Sequence, residues 1–233
     1  MLFLIFWSMI QKVLSILYPK LCIACESHLL EQEKFLCIYC THQMNWVPVP
    51  ENNLPNLERI FFGKFNYRYL NSLLFYDNDR ITKALLHHLK YKNKPEIGNW
   101  LAEWTYQRYH QHIIFKGIDA LIKTPIHTKR LKERGYNQLD NFAQVISQKF
   151  NIPIYDDVLI RTQYTTSQTQ KKMRERLFEN TPFELKNHNR INNKHILVVD
   201  DVITTGNTME QIVSLLQTAQ PASINIFAIA TAK

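Results

Sequence analysis

Residues 196–208, ILVVDDVITTGNT, hold the densest chemistry in the chain. Four apolar residues deliver two adjacent acids, Asp200 and Asp201, followed by Thr204, Thr205, Gly206, Asn207 and Thr208. Backbone N–H groups of residues 204–208, with the three threonine hydroxyls, can surround a phosphate at the positive end of a following helix. Gly206 leaves room for a close approach. The upstream carboxylates can accept hydrogen bonds from vicinal sugar hydroxyls and help hold a hydrated magnesium ion. The spacing suits a sugar phosphate, with ring hydroxyls on one side and the 5′-phosphate on the other. The GxxxxGK and GxGxxG phosphate loops are both absent from the sequence.

A second constellation is Cys22, Cys25, Cys37 and Cys40, two CxxC knuckles separated by eleven residues and containing every cysteine of the chain. Four thiolates at this spacing fit one closed tetrahedral zinc site, which is structural because no coordination position is left for water or substrate. Two disulfides, a redox pair and an iron–sulfur cluster are the alternatives. His28 and His42 lie close by and could substitute as ligands. A metal here would supply folding energy that a thin core of some forty residues lacks.

These residues need a frame. Residues 69–76, 118–124, 158–161, 195–200 and 223–230 read as short strands, and residues 138–150 and 207–219 as helices. Two further helices are expected at 78–91, capped by Asn78 or Asp79, and at 95–112, opened by Pro95. Apolar runs alternating with helices predict an α/β fold, a parallel sheet covered on both faces. The acids then fall at the carboxyl edge of a buried strand, where such sheets bind ligands. Residues 162–176 are polar, basic and without period, which predicts a loop. Three prolines within 46–60 mark a linker. The expected organisation is therefore a cysteine module over 1–45, a linker over 46–60 and a ligand domain over 61–233.

Composition narrows the class. At 233 residues, 45% hydrophobic and 21% charged, the chain is globular, which excludes disordered and collagen-like proteins. Only five glycines are present where average usage gives about sixteen, so each invites a reason. The net charge of +8 and the basic clusters 129–134 and 171–176 suit a polyanionic partner, whether nucleic acid or a phosphorylated small molecule. The first eighteen residues have no basic n-region and no small-residue cleavage site, and Gln11 and Lys12 interrupt their apolar run. They read as an amphipathic docking helix rather than a signal peptide or a stable membrane insertion. A reducing, cytoplasmic setting is expected.

The strand, acid pair and TTGNT loop resemble the signature of type I phosphoribosyltransferases. With the CxxC pairs ahead of it, the chain resembles the competence protein ComF family, in which such a domain follows an amino-terminal zinc ribbon. Leu89-Lys90-Tyr91, the segment KERGYNQ at 132–138, and Arg161 with Thr165 and Gln168 resemble further family motifs in the same order. The resemblance implies a type I phosphoribosyltransferase-like parallel sheet with helices on both faces, preceded by a small ribbon holding one zinc ion.

It also implies roles. Asp200 and Asp201 would bind the ribose hydroxyls of phosphoribosyl pyrophosphate and residues 204–208 its 5′-phosphate. Lys129 and Arg130, in KTPIHTKR at 123–130, would bind pyrophosphate, although the family reads Pro-Val-Pro where this chain has Lys123-Thr124-Pro125. Arg134, Asn137 and Gln138 would reach phosphate or the neighbouring loop, Gly135 would supply an unusual backbone angle, and 162–176 would be a hood over the site. An active enzyme would displace pyrophosphate with a nitrogen nucleophile, Mg²⁺ accompanying the substrate. No residue nominates an acceptor. The alternative is a non-catalytic nucleotide sensor or single-stranded-DNA handler serving the DNA-uptake machinery, for which FFGKFNYRY at 61–69 offers aromatic and basic residues. The oligomeric state is open.

Overall fold

The computed structural model describes residues 19–76, 80–162 and 181–233. The amino-terminal eighteen residues, Asn78 and Asp79, Thr165, Gln168 and the cluster 171–176 lie outside the described residues, as does nearly all of the expected hood.

The described chain begins in the cysteine module, where Leu21 bridges His28 in antiparallel register and the Ile23 amide donates to the Phe35 carbonyl. Helix α1, Ile38–His42, starts at Cys37 and places Cys40 one turn on. Residues 46–60, expected as a linker, are folded onto the sheet instead. Trp46 bridges Leu74, the Leu54 amide donates to the Leu70 carbonyl, and Pro55 opens helix α2, Pro55–Phe61. Proline fits the first turn of a helix because the amide it lacks has no intrahelical partner there. Val47, Leu57 and Phe61 are fully buried, and this burial outweighs the broken sequence pattern.

Strand β1, Tyr69–Phe75, leads to helix α3, Arg80–Tyr91, and helix α4, Glu96–Tyr109. Strand β2, Ala120–Lys123, is followed by the short helix α5, Thr128–Arg134, and helix α6, Asp140–Phe150. Strands β3, Leu159–Arg161, and β4, Phe183–Leu185, form a separate antiparallel pair. Strand β5, His195–Ile203, helix α7, Asn207–Gln217, and strand β6, Ser223–Thr231, complete the described chain.

The main sheet has the order β1-β6-β5-β2 and is parallel throughout. Alternation along β5 sends Leu197 and Val199 to one core and Ile196 and Val198 to the other, so both faces of the strand are apolar. The first core takes α3, α4 and α6 through Leu85, Leu89, Ile97, Leu101, Phe142 and Ile146. The second takes α2 and α7 through Leu57, Phe61, Ile212 and Val213. Cys22, Cys37, Cys40 and Met44 belong to the first core, so the cysteine module packs against the face that α3, α4 and α6 cover. The expected parallel sheet is present. The short β3 falls outside it and pairs instead with β4.

Candidate functional site

At the carboxyl edge of β5, Asp200 and Asp201 are both buried, at 5% and 7% exposure. Each has a carboxylate oxygen committed inside the protein. Asp200 Oδ1 accepts from the Asp201 amide at 2.8 Å, and Asp201 Oδ2 accepts from Gln138 Nε2 at 2.7 Å and Lys90 Nζ at 2.9 Å. Burial, followed by the Asp201 charge, pushes the Asp200 carboxyl up to about 7, while the Asp201 amide, Lys90 and the Thr124 hydroxyl work against that rise. A buried carboxyl beside a second carboxyl is the arrangement expected of a ligand site rather than of a packing core.

The loop after β5 exposes Thr204, Thr205, Asn207 and Thr208 and buries Gly206. Gly206 has φ of 81° and directly precedes α7, whose first turn has no side-chain cap. The first amides of that turn have no intrahelical acceptor, and its residues help line a small cavity of about 40 Å³ formed by Asp200 and residues 202–209. A Cβ on Gly206 would come within 2.5 Å of Phe61 and 2.7 Å of Ile60. The close approach that glycine permits here is to α2, behind the loop. A larger cavity of about 820 Å³ lies between the cysteine module and helices α4 and α6, lined by Phe35, Trp100 and Gln148 among others. It does not include the acid pair, whereas the smaller one is lined by Asp200.

The segments ahead of β5 meet at the acids. Arg134 donates to Gln138 Oε1, and its guanidinium stands 5.3 Å from the centre of the Tyr91 ring. The Tyr136 hydroxyl donates to the Leu89 carbonyl at 2.6 Å, tying residues 89–91 to residues 134–138. Gly135, with φ of 82°, ends α5 and turns the chain toward Asn137. Asn137 is buried, donates from Nδ2 to the Thr124 carbonyl at 3.1 Å and accepts the Leu139 amide on Oδ1. Thr124 itself donates backbone and side-chain hydrogen bonds to the Val199 carbonyl, one residue before the acids. Lys123, where the family has proline, pairs with Asp140 and with Asp156 at 3.2 Å, so it clamps α6 rather than facing the site.

The predicted site residues therefore divide. Asp200, Asp201 and residues 204–208 are contiguous on one edge, and Arg134 reaches Asp201 through Gln138. Lys129 and Arg130 stand on the exposed helix α5, where Lys129 comes within 4.0 Å of Glu133. Lys90 and Arg161 fall within motifs singled out in the sequence, which assigned no role to either of them. Arg161 Nε is buried without a partner among the described residues, and the guanidinium packs over Phe183. Burial and the Arg130 charge lower its affinity for a proton, and Asp200 acts in the opposite direction. The hydrophobic stripe of α3 locates Lys90 on a helix, but its reach to Asp201 exists only in three dimensions.

In the cysteine module all four thiols are free and their sulfurs lie within 4.8 Å of one another, with Cys25 and Cys37 3.6 Å apart. A tetrahedron with metal–sulfur bonds of 2.3 Å has edges of about 3.8 Å, so the four sulfurs are spaced to hold one ion such as zinc. The Ser27 hydroxyl, 3.0 Å from Cys25 Sγ, is the main cause that lowers that thiol to about 6. Burial pushes the Cys40 thiol up. Glu33 receives the Leu30 and Ile38 amides and braces the knuckles. Neither His28 nor His42 joins the group.

Residues 141–233 match the phosphoribosyl transferase domain family. The chain is 30% identical over 156 residues to "Competence protein F" of Haemophilus influenzae, covering 64% of this chain and 67% of that protein. It is 27% identical over 148 residues to "DNA utilization protein YhgH" of Escherichia coli strain K12, covering 61% and 64%. The chain thus spans about two thirds of the length of these relatives. Among solved structures, one titled "Structure of the allosteric regulatory enzyme of purine biosynthesis" aligns with a TM-score of 0.43 at 15% identity, over 62% of this chain and 30% of that one. The parallel sheet, the acid pair at its edge and the domain match define a phosphoribosyltransferase-like protein. More narrowly, the chain belongs to the competence protein F family. Among the described residues no helix is long and apolar enough to cross a membrane.

Proposed function

We propose that the protein binds phosphoribosyl pyrophosphate or a related sugar phosphate and serves DNA uptake from the cytoplasm. The observation that carries the binding reading is the placement of two buried carboxylates directly ahead of an uncapped helix start at the edge of a parallel strand. In this reading residues 204–208 hold the 5′-phosphate, Asp200 and Asp201 accept the ribose hydroxyls, and Lys129, Arg130 and Arg134 meet the diphosphate. Magnesium bound to the diphosphate would stabilise it as a leaving group. The residues of the chain bind and orient the sugar, and Gln138 fixes the carboxylate that it meets. The cysteine module would hold one structural zinc ion. The link to DNA rests on the names of the two relatives.

Calorimetry with phosphoribosyl pyrophosphate and magnesium tests this reading. The native protein is expected to bind, and Asp200→Ala with Asp201→Ala to abolish the heat. Absence of binding by the native protein would falsify it. The second reading, a strand-handling protein with a retained pocket, draws on the +8 charge and on Phe62, which is 88% exposed next to Phe61. Phe61 itself is buried, and Phe65 packs against it at a tilt with ring centres 4.9 Å apart. The aromatic run therefore offers one open ring and otherwise packs. Steeply salt-dependent binding of a single strand, unaffected by the double alanine change, would favour this second reading.

A further inference from the structure

The second acid of the pair already has a cation. Asp201 Oδ2 receives Lys90 Nζ at 2.9 Å and Gln138 Nε2 at 2.7 Å, while no contact among the described residues occupies Oδ1. The lysine is not a passing surface charge. Its side chain is 23% exposed, it lies in the last turn of the helix whose Leu85, Leu86 and Leu89 are buried, and the Leu89 carbonyl is held by Tyr136. Gln138 is fixed in turn by Arg134. Two elements, tied to each other by Tyr136, thus deliver donors to Oδ2.

A magnesium ion requires a near-octahedral shell of oxygens and keeps most of its waters. Placed on this carboxylate it would stand against an ammonium group already bound there. An ammonium supplies positive charge without such a shell and leaves the remaining oxygen able to accept a hydroxyl. We infer that Lys90 is a positioning residue that serves as the resident counter-cation of the acid pair, so that the pair takes sugar hydroxyls with no metal ion on its carboxylates. The inference rests on the sugar-phosphate reading above and refines it. Any magnesium requirement then belongs to the diphosphate of the ligand and not to the acids.

Ribose 5-phosphate, which carries the sugar hydroxyls and no diphosphate, is the probe. Its affinity for the native protein, measured calorimetrically in EDTA and in millimolar Mg²⁺, is expected to agree within about twofold. Lys90→Met should weaken it about tenfold in EDTA, the scale of one charge-assisted contact, and Mg²⁺ should restore part of the loss by entering the vacated position. Lys90→Arg should keep the native behaviour. A native protein that binds ribose 5-phosphate only with Mg²⁺ overturns the inference, and so does a Lys90→Met protein whose loss is the same in both buffers. The native comparison stands even if Lys90→Met does not fold. A native protein that binds ribose 5-phosphate in neither buffer, or only with Mg²⁺, overturns this inference, whereas the sugar-phosphate reading falls only if phosphoribosyl pyrophosphate with magnesium is not bound either.

Discussion

Asp200 shows how burial turns one residue into a pH-dependent contact. The groups facing it are Asp201, Lys90, Thr124 and Arg161, and its carboxyl is raised from an ordinary 3.8 to about 7, chiefly by burial. A raised acid means that the native state holds a proton that the unfolded state releases. Stability from this group is complete below the unfolded value near 3.8 and falls as pH climbs through about 7. Asp200→Asn keeps an oxygen for the Asp201 amide and removes the titration. Its melting temperature should therefore exceed that of the native protein by a few degrees at about pH 8, with the gap closing toward pH 4. Sugar-phosphate affinity of the native protein should move the other way, rising through pH 7 as the carboxylate forms. Melting curves and calorimetry over the same pH series check both, and a constant gap across the series would show that Asp200 does not titrate in this range.

The turn between β5 and α7 is the element on which the site depends, and its glycine is constrained twice. The φ of 81° disfavours any side chain, and a Cβ would overlap Phe61 at 2.5 Å. Gly206→Ala should cost about 2–4 kcal/mol in urea unfolding, combining left-handed strain with overpacking against a buried ring. A loss under about 0.5 kcal/mol would mean that α2 gives way readily. The strand, acids and helix here were legible because all their signals are local: an apolar run, two charges, hydroxyls, a glycine and a helical period. Other elements hide their signals. Helix α2 is seven residues long in a proline-rich stretch, and its apolar positions gain meaning only beside β1. Strand β4 spans three residues and pairs with a strand from which it is distant in sequence. Lys90 and Gln138 sit on recognisable motifs, yet their convergence on Asp201 follows from helix packing that no spacing encodes.

For the whole molecule, the decisive relation is between the cysteine module and the sheet. Cys22, Ala24, Leu36, Cys37, Cys40 and Met44 share a core with Leu85, Ile97 and Phe142, and Phe35 meets Trp100 edge-on at 6.1 Å. The module is therefore joined to the larger part by buried apolar surface, although sequence alone set it apart. Structural zinc sites fold short segments by amounts on the order of 10 kcal/mol of metal binding. Loss of the ion should loosen the module and uncover the face of α4 that it covers. One equivalent of metal is expected by elemental analysis of the purified protein, and none in a protein with Cys22→Ser and Cys37→Ser. Stripping the ion with a chelator should lower the melting temperature by at least about 5 °C, using the shift per kcal/mol typical of this size. Because the two parts share one core, native unfolding should remain a single transition by both tryptophan fluorescence and circular dichroism. An early, metal-sensitive transition separate from the main one would show instead that the ribbon folds by itself and that the shared core couples the two only weakly.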